Sequence, residues 1–334
     1  MTSRVTIHDV AAAAGVSVST VSKAVNGRYG VREDTMRRVQ RAVRDLGYES
    51  NLGARSMRAQ RTGVVGVLVA DVEPFSAEVL KGVSAALHGT PYDLLAYSGS
   101  RETGSDGWER RSLNRLSGSI IDGAILVTPT VLDAQSTIPV VAVDPHAGPA
   151  DVPTVESDSY SGAREAVQYL IDLGHERIGL VAGRADLRSS AARAAGYRKA
   201  LTASGLRVDP ELIVDGEYDE RITRGVARRL LQHPARPTAI FAANDISALA
   251  VIDTAIELGL DVPADLSVIG FDDVPEASRG MTGLTTVRQQ MHRIGSEAAR
   301  MLVALMAGQE PRSTHVRFQT RLIARSTTAR PGGG

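Results

Sequence analysis

The chain has 334 residues, with 38 Lys and Arg against 38 Asp and Glu, and hydrophobic residues make up 43% of it. That length accommodates two or three compact units, and the balance is that of a globular protein rather than a disordered or fibrous one. There is no cysteine, which excludes disulfides and thiolate metal sites and suits a reducing compartment. No apolar run approaches the roughly eighteen residues of a bilayer span, and Met1 to Val5 is not a basic-then-apolar signal segment. The zero net charge hides an asymmetry: residues 1–61 hold eleven Lys and Arg but five Asp and Glu, and the remainder carries the matching acidic excess. A basic head on an acidic body suits a polyanionic partner for the head alone.

In chain order, the first predicted elements are two short helices around a tight turn, in Thr6 to Asn26, TIHDVAAAAGVSVSTVSKAVN. Apolar spacing predicts a helix over Ile7 to Ala13, capped by a Thr6 hydroxyl that accepts from a first-turn amide, and Gly15 can take the positive φ that ends it. Ser17 caps a second helix over Val18 to Val25. Ile7, Val10, Ala11 and Ala14 share one face of the first helix, Val21 and Val25 one face of the second. Ser19, Thr20, Ser22 and Lys23 leave the second helix small, polar or cationic elsewhere. A plain helical hairpin would look similar, but so does a helix that packs on one side and enters the major groove with the other. After the turn at Gly27 to Gly30, a third helix is predicted over Arg32 to Leu46, apolar at Val39, Val43 and Leu46 and stopped by Gly47. Its arginines, Arg37, Arg38, Arg41 and Arg44, suit a solvated face.

Taken as one string, Asp9-Val10-Ala11, Ala14-Gly15-Val16-Ser17, Thr20-Val21-Ser22 and Val25-Asn26 closely resemble, in register, the N-terminal helix-turn-helix of the lac repressor (LacI/GalR) family of bacterial transcription regulators. The resemblance implies DNA contacts from Thr6, Ser17, Val18, Ser19, Thr20, Ser22, Lys23, Asn26 and Tyr48. Lys23 stands where an arginine is common. The resemblance also implies that Tyr48 to Arg61 holds a hinge helix, which folds on operator DNA and pairs across a dimer axis in the minor groove. Asn51, Ala54, Arg55 and Met57 would meet the DNA there. Met57 replaces the usual Leu wedge and keeps its apolar character; Ser50 replaces the usual Pro. Arg32 replaces a usual Ser, and losing that cap costs about 1 kcal/mol.

From Gly63 onward strands and helices alternate. Strands are predicted over residues 64–70, 94–97, 123–127, 140–143, 178–182, 239–242 and 267–271, and helices over 77–87, 108–116, 161–173, 191–204, 223–232, 246–258 and 290–307. Alternation predicts parallel sheets covered on both faces. Around ten strands predict two lobes, with crossings near Gly162, at Leu284 to Gln290 and in a strand over Val316 to Ile323. The residues from Ser326 onward are polar and Gly-rich and are expected to fray; they carry no leucine heptads, so nothing in them supports a tetramerising tail. The expected fold class is an all-α helix-turn-helix head plus an α/β body of two doubly wound parallel-sheet lobes, and the resemblance implies a body like the periplasmic binding proteins for sugars. The expected boundaries are 1–49 for the DNA-binding domain, 50–61 for the hinge, 62–330 for an effector-binding and dimerisation core, and 331–334 for a disordered tail. Within the core, the N-lobe takes about 62–160 plus 289–317 and the C-lobe about 161–288 plus 318–330.

In open α/β sheets a ligand sits in the crevice at the carboxyl ends of the strands. Polar residues stand at those ends: Asp71, with Phe75 and Ser76 opening the next helix, then Thr128, Asp144, Ser189, Asn244 and Asp272. Tyr218 lies in a loop that can supply an aromatic wall. Carboxylates accept from hydroxyls while rings cover C–H faces, so the set suits a neutral polyhydroxylated ligand. Asp245 and Asp273 fit helix capping and loop ordering instead. The resemblance places an effector-gripping arginine six residues before the aromatic of the Gly196-Tyr197 pair, but that residue is Ala191. Arg188 and Arg193 are the nearby substitutes, and Arg188 is assigned the role because it can reach the crevice from a loop. Trp108-Glu109-Arg110-Arg111, Thr128-Pro129-Thr130 and Asp144-Pro145-His146 look most like the xylose- or xyloside-responsive branch.

No nucleophile elbow, phosphate loop or His-based metal spacing is present, so no enzymatic activity, cofactor or metal is expected. The expectation is a cytoplasmic homodimer that binds pseudo-palindromic double-stranded operator DNA and a sugar or short glycoside, has no membrane partner, and represses carbohydrate catabolism. A purine- or other metabolite-responsive regulator and a non-regulatory sugar-binding module are the alternatives.

Overall fold

The computed structural model describes residues 5–25, 30–48, 61–99, 107–130, 136–146, 152–278 and 283–332. The chain divides into two units, Met1–Thr62 and Gly63–Gly334. Three helices of the first unit are described: α1 (Ile7–Ala14), α2 (Val18–Val25) and α3 (Glu33–Leu46). Val10, Ala11, Ala14, Val21, Ala24, Val39 and Ala42 bury their side chains between them. Ala24 and Ala42 face inward while Leu46 is exposed, because small side chains let three short helices approach closely. The cap of α1 is a capping box, in which the Thr6 side chain faces the Asp9 amide as expected and the Asp9 side chain returns to Thr6. Both the Thr6 hydroxyl and its amide donate to Asp9 Oδ2 at 2.7 Å, so the carboxylate at the third helical position closes the box. Ser17 behaves as expected, its Oγ accepting from the Thr20 amide at 3.2 Å. Arg32 precedes α3 without a side-chain cap bond. Asn26, Asn51, Ala54, Arg55 and Met57, and with them the expected hinge helix, lie outside the described residues.

In the second unit the elements run β1 (Val64–Val69), α4 (Pro74–Leu87), β2 (Asp93–Ser98), α5 (Trp108–Leu116), β3 (Gly123–Val127), β4 (Val140–Val143) and β5 (Thr154–Ser157). They continue with α6 (Ser159–Asp172), β6 (Ile178–Ala182), α7 (Arg188–Ala203), β7 (Ile213–Asp215), α8 (Glu220–Leu231), β8 (Ala239–Ala242) and α9 (Asp245–Glu257). The remainder is β9 (Ser267–Ile269), β10 (Thr286–Arg288), α10 (Met291–Met306), β11 (His315–Phe318) and β12 (Arg321–Ile323). One parallel sheet has the order β11-β5-β4-β3-β1-β2, a second the order β7-β6-β8-β9, and β10 pairs antiparallel with β12. These are two α/β lobes. The central strands are apolar at every position and buried throughout, as β1 (VVGVLV) and β6 (IGLVA) show, which is what a parallel sheet covered on both faces requires.

The chain passes between the lobes after β5, after β10 and after β11. The predicted single strand over 316–323 is therefore two strands in different sheets, because the chain changes lobe in its middle. Gly162 on α6 lies where a Cβ would meet Thr320, Val287 and Phe271 at once, so its bare backbone lets two connections pass. The body is not purely parallel, since β10 and β12 return antiparallel. The expected frayed tail is also corrected. Thr327 is fully buried; its hydroxyl donates to the Val268 carbonyl at 2.8 Å and accepts from the Thr285 amide at 2.9 Å. His175 Nε2 and Ser267 Oγ both reach the Ala329 carbonyl. Backbone polar groups near a sheet edge need partners, and this strap supplies them. Among the described residues, no helix is long and apolar enough to cross a membrane.

Helices α4 and α10 cross backbone to backbone in the first lobe. A Cβ on Gly82 would fall onto the His292 carbonyl, and one on Gly295 onto the Val79 carbonyl. Gly82→Ala should therefore force the helices apart and lower stability by about 1–3 kcal/mol, read as an earlier urea midpoint for the body. An unchanged midpoint would show that the crossing yields without cost.

Candidate functional site

On the head, α2 keeps its outer side polar. Ser17 Oγ lies 2.8 Å from both Ser19 Oγ and Thr20 Oγ1. Ser17, Ser19 and Lys23 are exposed and Thr20 and Ser22 half-buried. Val18 and Tyr48 are half-buried and pack against the helical core, so only part of each faces outward. Thr6 is exposed at the start of α1.

In the body, the loops after β1, β3, β4, β6, β8 and β9 converge on one cleft of about 900 Å³. Asp71, Phe75, Ser76, Thr128, Asp144 and Ser189 of the expected set line it, as do Tyr218, Asn244 and Asp272. The backbone is bent to aim several of them. Thr128, Asp144, Tyr218 and Asp272 have φ of 49°, 44°, 60° and 120°, a region that non-glycine residues enter at a cost and that gathers at functional sites.

Asp144 and Asp272 are the buried carboxyls of the cleft, 7% and 6% exposed. Asp144 Oδ1 accepts from the Ser157 amide at 3.1 Å, and burial pushes its pKa up to about 7. Asp272 Oδ1 accepts from Gln289 Nε2 at 2.6 Å. Burial raises it to about 6, against the pull of the Arg193 guanidinium.

That arginine is the main correction. Arg193, not Arg188, enters the cleft. Its Nη2 lies 3.5 Å from Asp272 Oδ1, its Nε donates to Ser159 Oγ at 3.4 Å, and its Nη1 donates to the Ala243 carbonyl. The guanidinium carbon sits 3.8 Å from the centre of the Phe271 ring. Arg188 is half-exposed and faces Glu156 across 3.8 Å, outside the cleft. The reason is helical phase. α7 starts at Arg188 rather than Ala191, so Arg188 belongs to its first turn and not to a loop. Ser190, Arg193, Gly196, Tyr197, Ala200 and Leu201 form its buried face; an arginine four residues before a buried tyrosine points the same way. That spacing was visible in the sequence.

Other side chains are partly committed to structure. Ser76 Oγ donates towards the Asp71 and Glu73 carbonyls and accepts from the Glu73 amide at 2.9 Å, so its hydroxyl serves the start of α4. Asn244 Oδ1 caps α9 through the Ser247 amide at 2.9 Å while the residue still lines the cleft. Asp245 orders the neighbouring loop, accepting from the Val274 amide and the Thr286 hydroxyl. Asp273 pairs with Arg288 and Arg325, both at 2.6 Å.

Among the described residues, two buried polar atoms at the cleft, Tyr218 Oη and His146 Nδ1, lack a hydrogen bond of good geometry, although Ser189 and Ser190 stand close to the Tyr218 hydroxyl. Burial pushes the Tyr218 phenol up and the His146 imidazole down to about 4, so both are neutral near pH 7. Unpaired polar atoms away from water are costly and are met by a ligand or by water. The Tyr218 ring covers Gly183, where a Cβ would strike it. Trp108, absent from the expected cleft residues, lines it as well. It is the chain's single tryptophan and is 4% exposed. Its neighbour Glu109 holds Thr130 by amide and hydroxyl at 2.5 and 2.8 Å. Among the described residues no cluster of His, Cys, Asp or Glu suits a metal ion.

A helical head that presents a polar helix, joined to a two-lobed body closing on a cleft of neutral and acidic hydrogen-bonding groups, defines a ligand-responsive DNA-binding protein. Residues 6–51 match the model of bacterial regulatory proteins of the lacI family, and residues 167–328 a periplasmic binding protein-like domain. The chain is 34% identical to catabolite control protein A of Priestia megaterium, over 97% of this chain and 99% of that protein. Among solved structures, a transcriptional regulator CelR–cellobiose complex is 31% identical with TM-score 0.72, over 97% of this chain and 100% of that one. The lac repressor dimer bound to operator and the anti-inducer ONPF superposes with TM-score 0.82 at 27% identity, over 98% and 100%. The chain belongs to the lacI family of bacterial regulatory proteins and is a DNA-binding transcriptional regulator.

Proposed function

We propose that this protein acts in the cytoplasm as a homodimer, represses carbohydrate catabolism genes from a pseudo-palindromic operator, and is controlled by a sugar or short glycoside in the cleft. The division of labour follows: residues 1–49 read DNA, 50–61 act as the hinge, and 62–330 bind effector and dimerise. The observation that carries the effector assignment is the cleft wall itself. Arg193 and Asp272 stand beside the buried Tyr218 hydroxyl, Asp144 faces them from the other lobe, and Trp108 and Phe75 add apolar surface. Hydroxyl groups need mixed donors and acceptors, and sugar C–H faces need rings. Trp108, Thr128, Thr130, Asp144 and His146 all line the cleft, which is where residues resembling the xylose-responsive branch would have to act.

A ligand changes operator affinity only by binding the two conformations unequally, and the operator must weaken or strengthen the ligand by the same factor. Intrinsic Trp108 fluorescence and thermal shift across pentoses, hexoses and short glycosides test the assignment. A ligand at a hundred times its Kd adds about 2.7 kcal/mol, and the same sugar must shift operator affinity. A sugar that binds without moving operator affinity would remove its regulatory role. Binding of a nucleoside and of no sugar would move the protein to the metabolite-responsive alternative.

The head supports a second expectation. Lys23, exposed on α2 next to Ser19 and Thr20, has the reach to touch a guanine edge but lacks the planar fork of arginine. Lys23→Ala should relax discrimination at one operator position by about 1–3 kcal/mol. Equal weakening on every sequence, with a smaller salt slope, would make Lys23 a phosphate contact instead.

A further inference from the structure

The cleft has a neighbour. A second crevice of about 470 Å³ abuts it, and Asp144 and Ser189 line both spaces. The positive φ of Asp144 sets its carboxyl at that junction, where the Ser157 amide fastens it. Arg193 spans the same boundary, lining the cleft while its Nε holds Ser159 Oγ of the crevice wall.

The crevice is built from the same kinds of group as the cleft. Ser157 is 7% exposed, and its Oγ has no hydrogen-bond partner among the described residues. A serine hydroxyl so deeply buried is normally paired, so the open valence marks a place for an incoming polar group. Glu156 Oε1 takes Nε and Nη2 of Arg317 at 2.7 and 2.5 Å. Arg188 approaches the same carboxylate only at 3.8 Å, too long for a hydrogen bond, so its guanidinium has donors to offer. Tyr160, partly exposed, adds an aromatic face to the wall. Two arginines meet the carboxylates of Asp144, Glu156 and Asp158 there, so no excess of positive charge selects an anion. Hydroxyl-rich and neutral is the chemistry that fits.

We propose that the crevice is a second sugar subsite, and that the effector is a two-unit glycoside with one ring in the main cleft and the other held by Ser157, Glu156 and Arg188. The proposal rests on the cleft being a sugar site. It also accounts for the position of Arg188, which lies outside the main cleft yet lines the crevice beside it.

The test compares monosaccharides with their dimers on the full-length protein: xylose with xylobiose, glucose with cellobiose, and galactose with lactose. Trp108 fluorescence and calorimetry supply the affinities. In the pair that binds, the disaccharide should bind at least about tenfold tighter, the scale of one charge-assisted hydrogen bond. Arg188→Ala changes an exposed side chain and Ser157→Ala removes one atom, so both should fold. Each should bring the disaccharide to within about twofold of the monosaccharide while leaving operator affinity without ligand as it was. Equal affinities for monomer and dimer in the wild type, or variants that weaken both sugars in proportion, overturn the second subsite and leave the cleft as a sugar site. No binding of any sugar, with operator binding intact, overturns the cleft assignment as well.

Discussion

Arg193→Ala is expected to destabilise the body by about 3–5 kcal/mol and to abolish the ligand response. Removing one partner of a buried ion pair costs that much because the other charge is left uncompensated. Here the partner is Asp272, and the same guanidinium also serves Ser159, the Ala243 carbonyl and the face of Phe271. Arg193→Lys should fail to rescue, since one ammonium cannot reach three acceptors in one plane or stack on the ring. Thermal denaturation reads the first effect. Operator binding with and without the effector identified in the sugar screen reads the second. A variant with wild-type melting and a normal response would show that Asp272 finds another cation and that the cleft does not depend on this arginine. Arg188→Ala, by contrast, should leave the melting temperature nearly unchanged, because an exposed ion pair contributes about 0–1 kcal/mol.

The second large effect is a reversed pH dependence. Asp144, with its pKa pushed up to about 7 by burial, holds its proton in the native state over a range where the unfolded chain has already released it. The native state then binds more protons than the unfolded state between about pH 4 and pH 7. Stability from this group therefore falls as pH rises through that window and is flat above it. Asp272, raised to about 6, acts in the same sense. Asp144→Asn keeps an acceptor for the Ser157 amide and tolerates the positive φ of 44°, yet has no charge to desolvate. At pH 7.5 it should be more stable than the wild type by on the order of a few kcal/mol, and the advantage should vanish towards pH 4. Denaturation midpoints at half-unit pH steps would show this. An advantage independent of pH would mean that Asp144 is ionised throughout and that its burial is relieved by water.

Much of the fold was legible because the signals that specify it are local. Hydrophobic spacing, Gly15 and Gly47 at helix ends, and continuous apolar runs such as Val64–Val69 express how a segment buries one face or both. The predicted second helix and the strands over 123–127, 140–143, 178–182 and 239–242 have the observed bounds. The crevice at strand ends was legible for a related reason. An apolar strand that stops abruptly at Asp71, Thr128, Asp144, Asn244 or Asp272 must leave its last polar residue at the rim of the sheet.

Short strands carry no such period. Thr154–Ser157, Ile213–Asp215 and Thr286–Arg288 are held by neighbours distant in the chain, and three or four residues cannot show an alternation. The strap from Thr327 to Ala329 has the composition of a loose end and becomes ordered only because Val268, Thr285 and His175 present unfilled hydrogen-bond positions.

From sequence alone, then, came the helical head with its basic excess, the alternating body and the ring of polar residues at its strand ends, since each depends on residues close together in the chain. Only the tertiary structure decided that Arg193 rather than Arg188 enters the cleft, that Trp108 joins its wall, that Asp144 holds a proton near neutrality, and that a crevice opens beside it. All four depend on burial, and burial of a charged or aromatic side chain is set by partners such as Asp272, Phe271 and Ser157 that the fold brings from elsewhere in the chain.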